Sequence, residues 1–181
     1  MASAPRLILV GGAPGSGKTT LALQLAARLR VAVVTKDDIK ESLAEVLGAG
    51  DRARSRELGA AAFEVMRAVA IRTLSSGAPV ILEANFHRDR STTWLRDLAR
   101  IADTRVVLCG APEALCRERF TARGAAGLRH PVHLDRVILE QEWPSAQEFE
   151  IDLGSPTLKV DTTDGYVPTL DAVVQFIRAG T

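Results

Sequence analysis

The chain has 181 residues, of which 46% are hydrophobic and 25% are charged, and its formal net charge is +1. This length is typical of one domain with a buried core, and the small net charge gives no general electrostatic reason to bind nucleic acid or an acidic membrane. The sequence shows neither a leader pattern nor an apolar run of the ~18 residues that a membrane helix needs. We therefore expect a cytoplasmic protein without membrane association. The two cysteines, Cys109 and Cys116, lack the spacing of a metal site.

The first distinctive stretch of the chain has the pattern of a strand, a glycine-rich loop and a helix. Leu7–Val10 is an apolar strand, and apolar residues then recur at helical spacing as far as Leu29. Between them, Gly12–Thr19 matches the phosphate-binding pattern G-x-x-x-x-G-K-[ST]. Glycines let backbone N–H groups approach a phosphate closely, and the helix N-terminus adds partial positive charge. We expect ATP and Mg²⁺ here, with Lys18 at the β- and γ-phosphates and the Thr19 hydroxyl on Mg²⁺. The expected nucleotide-binding residues of this loop are Gly12, Ala13, Pro14, Gly15, Ser16, Gly17, Lys18, Thr19 and Thr20.

Strand and helix patterns alternate along the rest of the chain. They predict an α/β fold, namely a P-loop NTPase three-layer αβα sandwich with a five-stranded, mostly parallel sheet. The later strands are expected at Val31–Thr35, Val80–Leu82, Arg105–Cys109 and Thr157–Val160. The later helices are expected at 36–47, 52–76, 89–102, 112–123 and 134–143, and a last helix is expected to place Val167, Leu170, Val174 and Ile177 on one face.

Acidic residues follow two of the predicted strands, at the sheet edge where ligands of such folds bind. Asp37 follows the second strand and can accept the proton of an attacking hydroxyl; Asp38 is the alternative, and either residue can instead cap the helix. Glu83 ends the third strand, where it can hold the water shell of Mg²⁺ or position an acceptor. The expected substrate-binding residues are Asp37, Lys40, Glu83, Asn85 and Arg88.

A basic, glycine-containing segment lies late in the chain, at about 117–134. Its pattern predicts a small Arg-rich lid that closes over the triphosphate, the alternative being a solvated basic helix face. Arg119 and Arg123 are expected to bind the nucleotide, and Arg123 to stabilise charge during transfer. His130 and His133 are expected to shape the lid or contact substrate rather than hold a metal. Trp94 and Trp143, on predicted helices, are expected to pack in the core.

These motifs together resemble P-loop kinases of the polynucleotide 5′-hydroxyl kinase, zeta-toxin and chloramphenicol phosphotransferase type, whose chains are often described as AAA-like ATPase domains. The resemblance covers Leu7 to about Arg136. Lys36–Lys40 is similar to the Arg-Asp-Asp-Tyr-Arg segment of polynucleotide kinases, which assigns the base to Asp37 and acceptor binding to Lys40. Glu83–Phe86 resembles their Asp-Thr-Asn-Leu segment, and Arg119–Gly124 resembles their lid. Lysine at position 40 in place of arginine removes bidentate phosphate binding, so a nucleic acid acceptor is not favoured.

This resemblance implies a single P-loop kinase domain over residues 1–181 that uses ATP and Mg²⁺. The expected reaction transfers the γ-phosphate to a hydroxyl of a small molecule, with Asp37, Lys18 and Arg123 as catalytic residues. The alternatives are a polynucleotide 5′-hydroxyl kinase, a nucleotide or nucleotide-sugar kinase, and an ATPase module without a phosphoryl acceptor. The expected partners are the nucleotide and the hydroxyl substrate, and no protein partner is predicted.

Overall fold

The computed structural model describes residues 4–127, 130–133 and 143–179. Its strands are β1 (Arg6–Gly12), β2 (Ala32–Thr35), β3 (Val80–Glu83), β4 (Asp103–Gly110) and β5 (Thr157–Asp161). They form one sheet in the order β2-β3-β1-β4-β5, and each neighbouring pair is parallel. The predicted five-stranded α/β fold is confirmed, and the described sheet is parallel throughout.

Helices cover both faces of this sheet, which makes the fold a three-layer sandwich. They are α1 (Lys18–Leu29), α2 (Lys36–Leu47), α3 (Arg52–Ser75), α4 (Arg88–Ala99), α5 (Glu113–Ala125) and α6 (Leu170–Arg178), with short 3₁₀ turns at Pro131–His133 and Ala146–Phe149. Alternate residues of β1 enter opposite layers: Leu9 packs with Met66 of α3, and Ile8 packs with Leu25 of α1 and Ile177 of α6. Because both faces are buried, the central strands are continuous apolar runs rather than alternating ones.

The register of the sheet brings three chain segments to one edge. Thr35, the last residue of β2, pairs with Glu83 at the end of β3, and Glu83 also pairs with Val10 of β1. The loop after β1 and the start of α2 therefore lie beside each other at the carboxyl ends of parallel strands, where ligands of such sheets bind.

Three local expectations need correction. Helix α5 continues through Gly124 to Ala125, beyond its expected end at Arg123. Val167 is 67% exposed and lies outside α6, which begins at Leu170, because the residue before Pro168 is sterically biased away from the helical region. Trp143 is not helical, while the remainder of the helix expected at 134–143 lies outside the described residues. Within the described ranges, no helix combines the length and apolar content needed to cross a bilayer.

Candidate active site

The loop between β1 and α1 forms a cradle of backbone atoms that leaves no room for side chains. A Cβ on Gly15 would lie 2.1 Å from the Cys116 carbonyl oxygen, and one on Gly12 would lie 2.3 Å from that of Cys109. Gly17, at φ 77°, precedes α1, and no side chain within the described part of the chain caps this helix. The Ser16 hydroxyl is buried and makes no hydrogen bond to any described residue. These features suit a phosphate bound at an uncapped helix N-terminus.

Lys18 and Glu83 place opposite charges in the buried floor of this cradle. Lys18 is 8% exposed and Glu83 is 3% exposed. The Lys18 ammonium donates to the Ala13 carbonyl oxygen at 3.2 Å, and the Thr19 hydroxyl donates to Glu83 Oε1 at 3.2 Å. Burial raises the pKa of the Glu83 carboxyl and lowers the pKa of Lys18, and each charge opposes the shift of the other. Thr19 and Glu83 thus offer an oxygen pair of the kind Mg²⁺ prefers.

Asp37 joins the same cluster from the first turn of α2. Burial lowers the pKa of Lys18, and the negative charge of Asp37 opposes that shift. Burial raises the pKa of Glu83, and the charge of Asp37 adds to that shift. Its Oδ1 accepts a hydrogen bond from Lys36 Nζ at 3.0 Å and lies 3.9 Å from His133 Nδ1. The pKa of the adjacent Asp38 is raised, first by burial and then by Glu41. The register of β2 with β3 sets Thr35 beside Glu83, and Asp37 follows Thr35 by two residues, so Asp37 lies at the same edge of the sheet as the P-loop.

A cavity of about 880 Å³ opens beside Asp37. Its floor belongs to α3, whose residues face it at helical spacing through three turns: Arg52, Ser55, Arg56, Gly59, Ala60 and Phe63. Helix α4 and the residue before it supply the facing wall, namely His87, Arg90, Ser91 and Trp94. Lys36 and His133, both near Asp37, complete the lining towards the P-loop. The site thus has a phosphate cradle and a separate acceptor-sized space.

Of the five residues expected to bind substrate, Lys40 and Asn85 line the cavity, whereas Asp37, Glu83 and Arg88 do not. Lys40 lines the cavity, but its ammonium is buried and donates to Ser55 Oγ at 2.8 Å and to the Val132 carbonyl at 3.2 Å. Asn85 also lines the cavity while donating to the Gly12 carbonyl at 2.8 Å, which ties β3 to the P-loop. Arg88 does not line it; its Nε donates to the Glu150 carbonyl at 3.0 Å.

The two arginines expected to bind nucleotide lie on the same side of α5. Arg119 donates to the carbonyl oxygens of Thr162 at 2.8 Å and Thr163 at 3.1 Å, on the loop after β5. Arg123 lies one turn after Arg119 on α5. Burial is the main cause of the lowered pKa of Lys18, and the positive charge of Arg123 contributes weakly in the same direction. Part of the lid expected at 117–134 is therefore the C-terminal half of α5, and residues 128–129 and 134 of it lie outside the described ranges.

The two histidines and two tryptophans considered in the sequence analysis contact residues of neighbouring segments. They are His130, His133, Trp94 and Trp143. His133 Nε2 lies 2.7 Å from Glu41, and His130 Nε2 lies 2.9 Å from Glu45, so both imidazoles contact carboxylates of α2. Trp94 packs against Phe63 and Phe86 with ring centroids 6.2 and 6.1 Å apart. Trp143 packs edge-on against Phe120. Among the described residues, no group of three or more His, Cys, Asp or Glu could hold a metal ion.

Two parts of this site were not predicted from the sequence, namely Thr162 and the cavity-lining residues of α3. Thr162 is buried, and its hydroxyl lies 2.9 Å from the Ser16 carbonyl, linking the loop after β5 to the P-loop. The cavity face of α3 was also missed, although its polar and small residues recur three and four positions apart from Arg52 to Ala60. That periodicity is visible in the sequence, whereas the contact of Thr162 joins residues 146 positions apart.

Comparison with known proteins identifies the family. A family model described as an AAA domain matches residues 7–143, which is well over half of the chain. The chain belongs to this AAA-domain family. Family members of this kind are P-loop NTPases, in agreement with the cradle and the sheet order described above.

Among relatives of this AAA-domain chain, an uncharacterized protein of Mycobacterium tuberculosis (strain ATCC 25618 / H37Rv) is 32% identical in an alignment of 131 residues that covers 65% of this chain. The chain spans about a quarter of the length of that relative, 26%. A crystal structure described as a "putative kinase" from Chloroflexus aurantiacus is 35% identical, with a TM-score of 0.82 and 97% and 98% of the two chains covered.

A more distant structure shows the shared fold alone. The APS kinase CysC of Mycobacterium tuberculosis is 16% identical, with a TM-score of 0.63 and 98% and 99% of the two chains covered. The AAA-domain chain therefore has a kinase-like P-loop fold. The narrower likeness to polynucleotide kinases, zeta toxins and chloramphenicol phosphotransferases stays a prediction.

The cradle geometry predicts different outcomes for alanine at two glycines with similar backbone angles. Gly15→Ala and Gly77→Ala both put a side chain at positive φ, 76° and 81°, at a cost of about 1–2 kcal/mol in unfolding free energy. Gly77 has open space around its Cβ position, whereas Gly15 faces the Cys116 carbonyl. We expect Gly15→Ala alone to weaken binding of a non-hydrolysable ATP analogue, by about tenfold or more, in calorimetric titration. Equal nucleotide affinities in the two variants would contradict this role of the cradle.

The buried Glu83 carboxyl predicts that removing its charge stabilises the nucleotide-free protein. Its folded-state pKa is raised, so ionisation opposes folding once the pH exceeds the unfolded-state pKa of about 4.3. Glu83→Gln should therefore raise the Tm of the nucleotide-free protein at pH 7 and leave it unchanged below about pH 3, where the wild-type carboxyl is protonated in both states. In a domain of this size each kcal/mol corresponds to about 2–4 °C. A Tm gain that persists unchanged at low pH would show that ionisation is not its cause.

Proposed function

We propose that this protein is an ATP- and Mg²⁺-dependent kinase that transfers the γ-phosphate to a hydroxyl group of a small molecule. The observation that carries the proposal is that Asp37 has neighbours in both the phosphate cradle and the lining of the cavity, although it does not itself line the cavity. Its charge acts on Lys18 and Glu83 in the phosphate cradle, while its hydrogen-bond partner Lys36 and its neighbour His133 line the cavity. A carboxylate in that position is suited to accept a proton from a hydroxyl that approaches the terminal phosphate.

On the nucleotide side, Lys18 and the loop amides would hold the β- and γ-phosphates, and Thr19 and Glu83 would hold Mg²⁺, directly or through its water shell. Bound Mg²⁺ supplies charge neutralisation at the phosphate oxygens. Arg123, close enough to affect Lys18, would add positive charge as the phosphoryl group moves. Arg119 anchors the same helix to the loop after β5.

On the acceptor side, the hydroxyl oxygen attacks the γ-phosphorus and forms a new O–P bond. The bond between the γ-phosphorus and the β,γ-bridging oxygen breaks, ADP leaves, and the hydroxyl proton passes to Asp37. The Lys36 ammonium at 3.0 Å stabilises the negative charge that Asp37 needs beforehand. The cavity volume, about 880 Å³, lies within the range of pockets for small ligands, which supports a small-molecule acceptor over a polynucleotide. The Chloroflexus relative, 35% identical over nearly the whole chain, supports kinase activity.

The direct test of this function is incubation with γ-labelled ATP, Mg²⁺ and a panel of hydroxyl compounds that includes a 5′-hydroxyl oligonucleotide. Label on a small molecule is the expected result. Label on the oligonucleotide alone would favour the polynucleotide kinase alternative, and label released only as free phosphate would favour an ATPase without an acceptor.

The base assignment predicts a clear difference between two neighbouring carboxylates. Asp37→Asn should lower kcat for transfer by about a hundredfold or more, because the amide cannot accept the proton, and should change the affinity for ATP by less than about threefold. Asp38→Asn is the matched comparison, since it removes the same charge one residue later. Single-turnover transfer and nucleotide titration measure the two quantities. If Asp38→Asn causes the larger loss of kcat, the base is Asp38.

The small residues of the α3 floor predict that the acceptor space can be filled without harming the nucleotide site. Gly59 is helical and a Cβ there meets nothing within 4 Å, so Gly59→Leu should extend into the cavity and raise helix propensity. We expect the KM for the acceptor to rise by about tenfold or more with ATP affinity unchanged. Ala61→Leu, which adds bulk to an exposed position of the same helix, is the control. A Gly59→Leu enzyme with normal acceptor kinetics would place the acceptor elsewhere.

A further inference from the structure

The acceptor cavity has a strongly positive lining in a chain whose net charge is only +1. Among the residues that the structure describes, five lysines and arginines line it, Lys36, Lys40, Arg52, Arg56 and Arg90, against one carboxylate, Glu64. Glu64 lies three turns along α3 from Arg52, and one of its oxygens is 3.8 Å from Arg67, which does not line the cavity. Positive charges therefore outnumber negative charges in the described lining of the cavity.

Arg56 and Arg90 differ from the two lysines of the cavity in their contacts. Lys36 is paired with Asp37, and Lys40 donates to Ser55 and to the Val132 carbonyl. In contrast, no hydrogen bond or ion pair joins the exposed guanidinium groups of Arg56 and Arg90 to any residue that the structure describes. The nearest charge identified for Arg90 is Glu148, whose pKa is lowered first by its hydrogen bond with His87 and only weakly by Arg90. Arg56 comes from α3 and Arg90 from α4, so the two line the cavity from different walls. Two guanidinium groups that keep their hydrogen-bond donors available in one cavity are suited to carboxylate, phosphate or sulfate oxygens.

An apolar surface lies beside these arginines. Two aromatic residues line the cavity there: Phe63 of α3, three residues after Ala60, and Trp94 of α4, four residues after Arg90. Their ring centroids are 6.2 Å apart. The carbon skeleton of a ligand can pack on this surface while its charged group meets the guanidinium groups. The cavity thus combines a proton acceptor at one side, cations on two walls and an apolar patch.

We propose that the phosphoryl acceptor carries an anionic group in addition to its reacting hydroxyl, and that Arg56 and Arg90 bind this anionic group. The inference rests on the proposed kinase function and makes it narrower: the substrate class is a small hydroxylated carboxylate, phosphate ester or sulfate ester. The two arginines act as specificity determinants, remote from the transferred phosphate, that hold the acceptor so that its hydroxyl faces Asp37.

The test compares compounds that differ in charge but share a skeleton. The sets are glycerol, glycerate and glycerol 3-phosphate; glucose, gluconate and glucose 6-phosphate; and adenosine with its 5′-monophosphate and 5′-phosphosulfate. Binding is measured calorimetrically with the P-loop already saturated by a non-hydrolysable ATP analogue and Mg²⁺, so that the anions cannot bind at the phosphate cradle. Transfer is measured separately with γ-labelled ATP. In at least one set, an anionic member should bind about tenfold or more tightly than its neutral counterpart and should be the one phosphorylated.

Charge-removing variants assign the effect to the named residues. Arg56→Gln and Arg90→Gln should each raise the Kd of the preferred anionic compound by about tenfold and leave the Kd of the neutral member unchanged. Arg56→Lys should restore part of the affinity, because the charge returns without the planar fork. Arg72→Gln, which removes a charge from α3 outside the cavity, should behave as wild type.

The outcomes separate this inference from the kinase proposal. If neutral and anionic members bind and react equally, or if the anion preference persists in the Arg56→Gln/Arg90→Gln double variant, the anionic-acceptor inference is wrong while the kinase function stands. If anionic members bind through these arginines but no compound receives label, the kinase function fails and the anion site is retained as a binding site. If no anionic member binds more tightly than its neutral counterpart, the inference is overturned.

Discussion

Glu83 and Lys18 are ionisable groups buried at one sheet edge, and each limits the cost of ionising the other. Burial disfavours both ionised forms, and the attraction between the two charges offsets part of that cost. Their proximity follows from the parallel register that sets Glu83 beside Val10 and Thr35. The same register brings Asp37, two residues after Thr35, into the cluster. The electrostatics of the site are therefore a direct consequence of how β1, β2 and β3 pair.

The features of this site that could be predicted from the sequence are determined by residues close together in the chain. The P-loop is defined by residues within one turn and one helix start, and the strands are apolar runs whose burial on both faces makes them easy to recognise. Asp37 was found because the residue after a parallel strand lies at the ligand-binding edge regardless of what the rest of the chain does. Such features can be recognised in a sequence without knowledge of tertiary contacts.

The parts that the sequence did not predict depend on contacts between distant segments. Lys40 has the position expected of an acceptor-binding residue, yet its ammonium is committed to Ser55 on α3 and to the carbonyl of Val132, 92 residues away. Arg88 and Arg90 are both polar residues at the start of α4, and only the packing of that helix decides that Arg90 lines the cavity. The end of α5 was misjudged because Gly124 is tolerated inside the helix rather than ending it.

Two stripes of α3 have separate duties. One stripe packs Leu58, Ala62 and Met66 into the interior, and the neighbouring stripe presents Gly59 and Ala60 to the cavity. Substitutions at Gly59 and Ala60 would alter the size and polarity of the space proposed for the acceptor, while the buried stripe keeps the helix in place and the phosphate cradle before α1 is untouched. Divergence within this scaffold can thus proceed by changing the compound that is recognised while the machinery for handling the nucleotide is inherited intact.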